Sequence, residues 1–337
     1  MTLQERLGAL IQLGKKINSL TAEEFAVLAE RVKRNNNWFT PEQTRFALQN
    51  IEAFLEEKSL IRWLEPYDIP DGAQPKSVGL LMAGNIPAVG FHDLLCILVS
   101  GHKAYAKLSS TDQVLITWLT EELKAIEPRF KANIFFEDML KGKDAYIATG
   151  SDNSSRYFEY YFGRYPSIIR KNRTSVAILT GEECPDEYKA LGHDIFQYFG
   201  LGCRNVSKLY VKDEKQLESF LDAIGGFHFL TSHHKYLNNY EYNKAIYLVN
   251  GDQHLDNGFL LVKESDQLVS PIAVVYYEVF SDNNDLGRKL QAINDKIQCI
   301  VSRNGWYPGS VAFGQAQCPI LSDYADHVDT LQFLIGL

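Results

Sequence analysis

Apolar positions recur along this chain with two different periods. Through the first 60 residues the period is helical. Phe25, Leu28 and Val32 follow Thr21-Ala22-Glu23-Glu24, a capping box with Thr21 as N-cap and Glu24 reaching back. Thr40-Pro41-Glu42-Gln43 opens a further helix with Pro at its first position, and Phe46, Ile51, Phe54 and Leu55 form its inward face. From Lys76 onward, short apolar runs alternate with helical stretches. Strands are predicted at 77–82, 103–107, 133–136 and 145–148, with helices at 92–99 and 114–126. After residue 172 the pattern continues, with strands predicted at 176–179, 208–211, 245–249 and 272–276. Helices are predicted near 186–199, 214–224 and 284–294. Such alternation implies parallel sheets covered on both faces. In these sheets ligands sit at the carboxyl ends of strands, where Gly, Asn, Ser and Lys cluster here. No segment repeats at a fixed period or reads as a linker. The polar break at Arg170–Arg173 therefore divides the chain into residues 1–171 and 172–337.

Composition narrows the function classes. A length of 337 residues fits one large domain or two ordinary ones. With 45% hydrophobic and 23% charged residues the chain can bury a sizeable core. Its mean hydropathy is -0.20, and no run of about 18 apolar residues predicts a transmembrane helix. Lys and Arg number 34 against 42 Asp and Glu, a net charge of -8. That balance argues against a general nucleic-acid binder, yet allows a local anion pocket. The five cysteines are widely spaced and contain no CxxC, so neither a disulfide framework nor a zinc site is predicted. His233-His234 lacks metal-ligand spacing, and there is no HExxH. The first residues include Gln4, Glu5 and Arg6 without a long apolar core, unlike a signal peptide, so a reducing, cytoplasmic location is expected.

Several residues could carry chemistry, each with a plainer reading beside it. Cys203 follows Gly200-Leu201-Gly202 and precedes Arg204. Two glycines suit a tight backbone that exposes a thiol, and a guanidinium favours the nucleophilic thiolate. Most cysteines are small buried hydrophobes, and Cys96, inside Leu94-Leu95-Cys96-Ile97-Leu98, reads that way. Asn85, in Ala83-Gly84-Asn85-Ile86-Pro87, is an oxyanion donor or an ordinary turn residue. Lys107, with Ser109 and Ser110 behind it, suits a ribose or phosphate, although most strand-end lysines are simply solvated. Thr149-Gly150-Ser151 is a strand-to-helix turn whose N–H groups suit a pyrophosphate. No GxGxxG occurs. Glu278, at the end of the 272–276 run, accepts from sugar hydroxyls or is a surface acid. His193 is a possible base near Cys203 but reads as an exposed helix residue.

The order of these fragments resembles the aldehyde dehydrogenase superfamily. That family carries a Pro-Trp-Asn-aromatic-Pro turn, a Lys-Pro-Ser turn, a Gly-Ser turn, a Glu-Leu-Gly-Gly segment and a Gly-Gln-x-Cys. Ala83-Gly84-Asn85-Ile86-Pro87 looks like the first and Ala106-Lys107-Leu108-Ser109 like the second. Thr149-Gly150-Ser151 looks like the third, and Gly200-Leu201-Gly202-Cys203 like the fifth. The segment from Arg170 to Ile178 occupies the place of the fourth, so Arg170 stands where hydrolytic members have a water-activating glutamate. Glu278-Val279-Phe280 looks like the first half of the family's ribose-binding Glu-aliphatic-Phe-Gly-Pro motif, without its Gly-Pro half. The sequence most resembles the fatty acyl-CoA reductases related to the reductase component of bacterial bioluminescence systems. Gly314-Gln315-Ala316-Gln317-Cys318-Pro319 and the segment from Asp323 to Thr330 look like the end of that branch.

The resemblance implies an α/β fold of two domains with mainly parallel sheets and an N-terminal helical segment. Residues 1–171 would hold the nucleotide, and residues 172–337 would carry the nucleophile. It implies that Cys203 attacks an acyl-CoA thioester, that Asn85 holds the oxyanion and that NADPH reduces the acyl-cysteine to an aldehyde. Lys107, Ser109, Gly150, Ser151 and Glu278 would bind the cofactor. A homo-oligomer or acyl-transferring partner proteins would fit. An acyl phosphate reductase and a non-catalytic acyl-binding relative are the alternatives.

Overall fold

Four helices lead the chain: α1 (Leu3–Asn18), α2 (Ala22–Asn35), α3 (Pro41–Leu55) and α4 (Glu57–Leu64). The computed structural model describes residues 1–72, 74–150 and 152–337. The expected capping box opens α2: Glu24 N–H donates to Thr21 Oγ1 at 3.2 Å, and Thr21 N–H donates to the Glu24 carboxylate at 2.8 Å. Thr2 and Glu5 repeat the device at α1. Thr40 caps α3 by accepting Gln43 N–H at 3.4 Å. Leu10, Leu13, Leu48, Ile51 and Leu55 are all buried in one core with the adjoining sheet. Complete burial of one such side chain contributes roughly 1.5–3 kcal/mol.

The chain then alternates through β1 (Ser77–Leu81), α5 (Phe91–Val99), β2 (Lys103–Lys107), α6 (Gln113–Ile126), β3 (Ile134–Phe136), β4 (Ala145–Thr149), α7 (Asp152–Phe162) and β5 (Ser167–Arg170). Its sheet has the order β3-β2-β1-β4-β5, with every pair parallel. The chain works outward from β1 in one direction, then returns to the other side of β1 with β4. The strand order thus reverses between β1 and β4. At such a reversal the helices leave on opposite faces, and a crevice opens at the carboxyl ends.

The second sheet is built from β6 (Thr174–Leu179), α8 (Pro185–Phe196), β7 (Val206–Val211), α9 (Gln216–Ala223), α10 (His234–Asn250), β8 (Leu255–Asp256), β9 (Leu261–Glu264), β10 (Val274–Val279), α11 (Asn283–Gln291), β11 (Ile297–Ser302) and β12 (Val311–Ala312). Its order is β12-β11-β6-β7-β10-β9-β8, and among the described strands only β8 runs antiparallel to its neighbour. Every residue of β6 and β7 is buried, so these two strands form its centre.

The chain divides into two units: Met1–Asn172 with Pro319–Leu337, and Arg173–Cys318. The second domain expected at 172–337 therefore stops at Cys318. Residues beyond it pack on the first unit. Leu321, Tyr324, Leu331 and Leu334 join its core. Trp63 Nε1 donates to the Tyr324 hydroxyl at 2.7 Å, and the His102 ring meets Leu334 O at 2.8 Å. These partners are remote in sequence, and no local pattern marks their return. The strand expected at 245–249 is the end of α10, which Gly251 closes in a left-handed conformation (φ 70°). Ala245-Ile246-Tyr247-Leu248-Val249 is too short an apolar run for periodicity alone to decide. The sequence pattern predicts no strand at β5, β8, β9, β11 or β12.

Candidate active site

Cys203 lies between α8 and β7, at the amino-terminal edge of the second sheet, and is half-buried. Its backbone forms a four-residue turn, Gly202-Cys203-Arg204-Asn205. Asn205 N–H donates to Gly202 O at 3.0 Å, and Gly202 N–H donates to Asn205 Oδ1 at 2.7 Å. Ser175 Oγ donates to Cys203 O at 3.0 Å, and Arg204 Nη1 donates to Ala316 O at 3.3 Å. Just upstream, Tyr198, Phe199 and Gly200 are all left-handed (φ 53°, 57° and 78°). Glycine adopts this readily, whereas the two aromatic residues each cost about 1–2 kcal/mol. Both are buried, and the Phe199 ring packs on His233 with centroids 4.4 Å apart. Tertiary packing thus holds a strained approach to the cysteine. Phe199, Gly200, Asn205, Tyr236 and Ala273 contribute to the wall of an adjoining small pocket of about 30 Å³. Cys96 is fully buried, and burial pushes its thiol pKa up, as suits a core hydrophobe.

The first unit gathers the other candidates at the carboxyl edge of its sheet. Asn85 is exposed in the turn after β1, Lys107 is the exposed last residue of β2, and Gly150 directly follows β4. Asn85 and Gly150 flank the β1/β4 reversal. The loops after β1 and β2 are tied together. Thr111 Oγ1 donates to Gly84 O at 2.7 Å, and the Ser109 and Thr111 hydroxyls are 2.8 Å apart. A Cβ on Gly84 would lie 2.4 Å from Ser109 Oγ, so this close approach requires glycine. Ser151 lies outside the described residues. An exposed ammonium, an amide and a hydroxyl beside such a crevice suit a ligand with sugar hydroxyls and phosphates.

Two expectations change. Glu278 is the next-to-last residue of β10 and lies opposite Tyr210 of β7. Cys203 precedes β7 altogether. From Val206 to Tyr210 a strand rises roughly 13 Å at about 3.3 Å per residue. Glu278 therefore stands at the far end of the sheet from Cys203, too distant for a single ribose to adjoin both. Its carboxylate instead balances Lys208, fully buried in β7, whose Nζ donates to Oε2 at 2.5 Å, while Lys289 donates to Oε1. Burial opposes the charge, but the two lysines hold the Glu278 carboxyl below its ordinary range. Arg170 is 2% exposed and ends β5. Its Nη1 donates to the Asp93 carboxylate, and its Nη2 to Thr330 Oγ1 at 2.7 Å. It forms a buried ion pair inside the first unit. His193 is exposed on α8, against the Phe227 ring.

Sequence reasoning missed Asn205, Lys208 and Asp194. Lys208 and Asp194 are polar residues within apolar elements, which is the available signal, whereas Asn205 lies in the turn before β7. Asp194 is fully buried and accepts N–H groups from Gly314 at 2.6 Å and Ala316 at 2.9 Å. Burial raises its pKa to about 7, although the two amides oppose the rise. The folded protein then keeps a proton that the unfolded chain releases near pH 4. Stability conferred by this proton is complete below about pH 4 and declines as pH rises to about 7. Asp194→Asn should lose that slope, which amounts to about 2–4 kcal/mol. Thermal unfolding from pH 4 to 8 checks this, and equal slopes in both proteins would refute it.

Among the described residues, no helix is long and apolar enough to cross a membrane, and no group of three or more His, Cys, Asp or Glu could hold a metal ion. No protein-family model matches the sequence, and no curated protein matches it. Solved structures do. Aldehyde dehydrogenase 21 from Physcomitrella patens, in complex with the reaction product succinate, matches with TM-score 0.69 at 12% identity, over 100% of this chain and 84% of that one. This chain has the aldehyde dehydrogenase fold. An E. coli NADP-dependent enzyme matches with TM-score 0.64 at 13% identity, over 90% of this chain and 73% of that one. An aldehyde dehydrogenase from Bacillus cereus, in its NAD+ complex, matches with TM-score 0.61 at 14% identity, over 90% and 72% of the two chains. On this aldehyde dehydrogenase fold, Asn85 and Lys107 follow or end neighbouring parallel strands of one unit, while Cys203 precedes a central strand of the other.

Proposed function

We propose that this protein is an NADPH-dependent oxidoreductase that reduces a fatty acyl-CoA thioester to an aldehyde through an acyl-cysteine on Cys203. The observation that carries the proposal is the Cys203 turn. A half-buried thiol follows Gly200 and Gly202 on a backbone fixed by Ser175 and Asn205. At the position where the resemblance expects a water-activating glutamate, Arg170 is committed to Asp93. Arg170 therefore activates no water, and an acyl-cysteine on Cys203 is left for reduction rather than hydrolysis.

The Cys203 thiolate attacks the thioester carbonyl carbon. The new C–S bond forms as the bond to the CoA sulfur breaks, and CoA departs as a thiolate that takes up a proton. The Asn85 amide and the Cys203 backbone N–H serve as oxyanion donors. When bound, the reduced nicotinamide supplies the hydride for the acyl carbon. The thiohemiacetal alkoxide on Cys203 then collapses, releasing aldehyde and restoring the thiolate. Lys107, Ser109 and the turn at Gly150 and Ser151 bind the cofactor's ribose and phosphates. No acidic residue follows Lys107 closely, which leaves room for the additional phosphate of NADP. Glu278 is assigned to the Lys208 charge pair.

The test is NADPH oxidation with a series of acyl-CoA chain lengths, with aldehyde trapped and identified. Oxidation driven by acyl phosphates but not by acyl-CoA would overturn the substrate assignment. Asn85→Ala should lower kcat by roughly 10²–10³-fold, the usual effect of losing one oxyanion donor. NADPH affinity, read by fluorescence titration, should change less than about twofold. A loss of affinity that accounts for the whole defect would move Asn85 to cofactor binding.

A further inference from the structure

We infer that Asn205 is the positioning residue that presents Cys203 for reaction. The inference rests on Cys203 being the nucleophile, as proposed above. Asn205 is buried, with 3% exposure. Its Oδ1 accepts Gly202 N–H at 2.7 Å, and its backbone N–H donates to Gly202 O at 3.0 Å. One residue thereby closes both sides of the turn that carries Cys203. Its Nδ2 reaches Asp194 O at 3.1 Å, Ile195 O at 3.2 Å and Gln197 O at 2.8 Å. These are carbonyls at the end of α8, where the helix leaves its last C=O groups without internal partners. Two N–H groups serve three carbonyls, so one of them is shared.

The arrangement has a specific cause. A helix commonly ends with one left-handed residue whose backbone N–H satisfies those carbonyls. Here three consecutive left-handed residues, Tyr198 to Gly200, carry the chain away, and a side chain from beyond the turn performs the capping. The backbone O of Asn205 extends the connection to β6, accepting Ser175 N–H at 3.2 Å and Thr174 Oγ1 at 3.3 Å. Ser175 also holds Cys203 O. The position of the thiol is thus fixed from α8, from β6 and across its own turn, with Asn205 common to all three. Only a short side chain with two donors and an acceptor satisfies that point. Aspartate keeps the shape and the acceptor but loses both donors. Alanine loses both functions.

The test compares wild type, Asn205→Asp and Asn205→Ala as full chains. Each is alkylated with iodoacetamide from pH 6 to 10, and every cysteine is followed by peptide mass spectrometry. In both variants, Cys203 should alkylate about tenfold more slowly than in wild type across the pH range, because the turn no longer presents the thiol. Exposed Cys184 should change less than twofold, and buried Cys299 should stay protected, which a general loosening of the unit would not allow. An unchanged Cys203 profile in Asn205→Ala overturns the inference. Loss of Cys299 protection in both variants also overturns it, since Asn205 would then be a folding residue. Acylation of the wild type by hexadecanoyl-CoA is measured in parallel. Its failure would sink the proposed reaction, whereas the alkylation result speaks to Asn205 alone.

Discussion

Cys203→Ala is expected to abolish aldehyde formation, lowering turnover by at least about 10⁴-fold, the scale on which nucleophile removal acts in covalent catalysis. No other residue can form the acyl intermediate in the proposed reaction. NADPH should still bind, because Lys107 and the Gly150 turn belong to the other unit. Folding should be almost unaffected, since Gly202 and Asn205 close the turn through atoms other than the thiol. Steady-state rates with NADPH and hexadecanoyl-CoA, together with NADPH titration, separate these effects. Aldehyde production by the variant at even a tenth of the wild-type rate would reassign the nucleophile.

The largest effect on stability is expected at Arg170. Arg170→Met leaves the Asp93 carboxylate buried without its cation, which costs about 3–5 kcal/mol. In a unit of this size the melting temperature should fall by roughly 10 °C. Arg170→Glu should be worse, because it brings two carboxylates together, and it should not create acyl-CoA hydrolysis. Pairing Arg170→Met with Asp93→Leu should recover most of the loss, because an apolar pair of similar volume often replaces a buried ion pair at little cost. Thermal unfolding of the three variants decides this. An Arg170→Glu protein as stable as wild type, or one that hydrolyses acyl-CoA, would show that Arg170 lies in the reacting site instead.

Much of the fold was legible because its elements are locally consistent. The Thr21–Glu24 box, the boundaries of β2 and the alternation from β1 to β4 all follow from short-range pattern. What local pattern could not reveal depends on distant partners. Pro319–Leu337 reads as a continuation of the second domain until Tyr324 meets Trp63. Ala245–Val249 has strand-like composition, but it is the end of a long helix that Gly251 terminates, with Tyr247 buried and Leu248 and Val249 exposed. Turn chemistry singles out Asn85, Lys107 and the glycines before Cys203, and each falls in a turn or at a strand end of its own unit. Glu278 misled because three residues of a motif carry no register. Once β10 is aligned with β7, the side chain falls at the wrong end of the sheet, and a buried lysine explains its charge. Asn205 had no local signature, since its role comes from carbonyls eight to eleven residues upstream.

The central claim is a covalent acyl group on Cys203, and intact mass spectrometry tests it most directly. The full-length protein is incubated with hexadecanoyl-CoA in the absence of NADPH and weighed. One acyl group per chain should appear, map to the peptide containing Cys203, and be absent from Cys203→Ala. Adding NADPH should discharge it as the aldehyde. Aldehyde formation while Cys203 stays unmodified, or an acyl group mapped to any other residue, would contradict the claim.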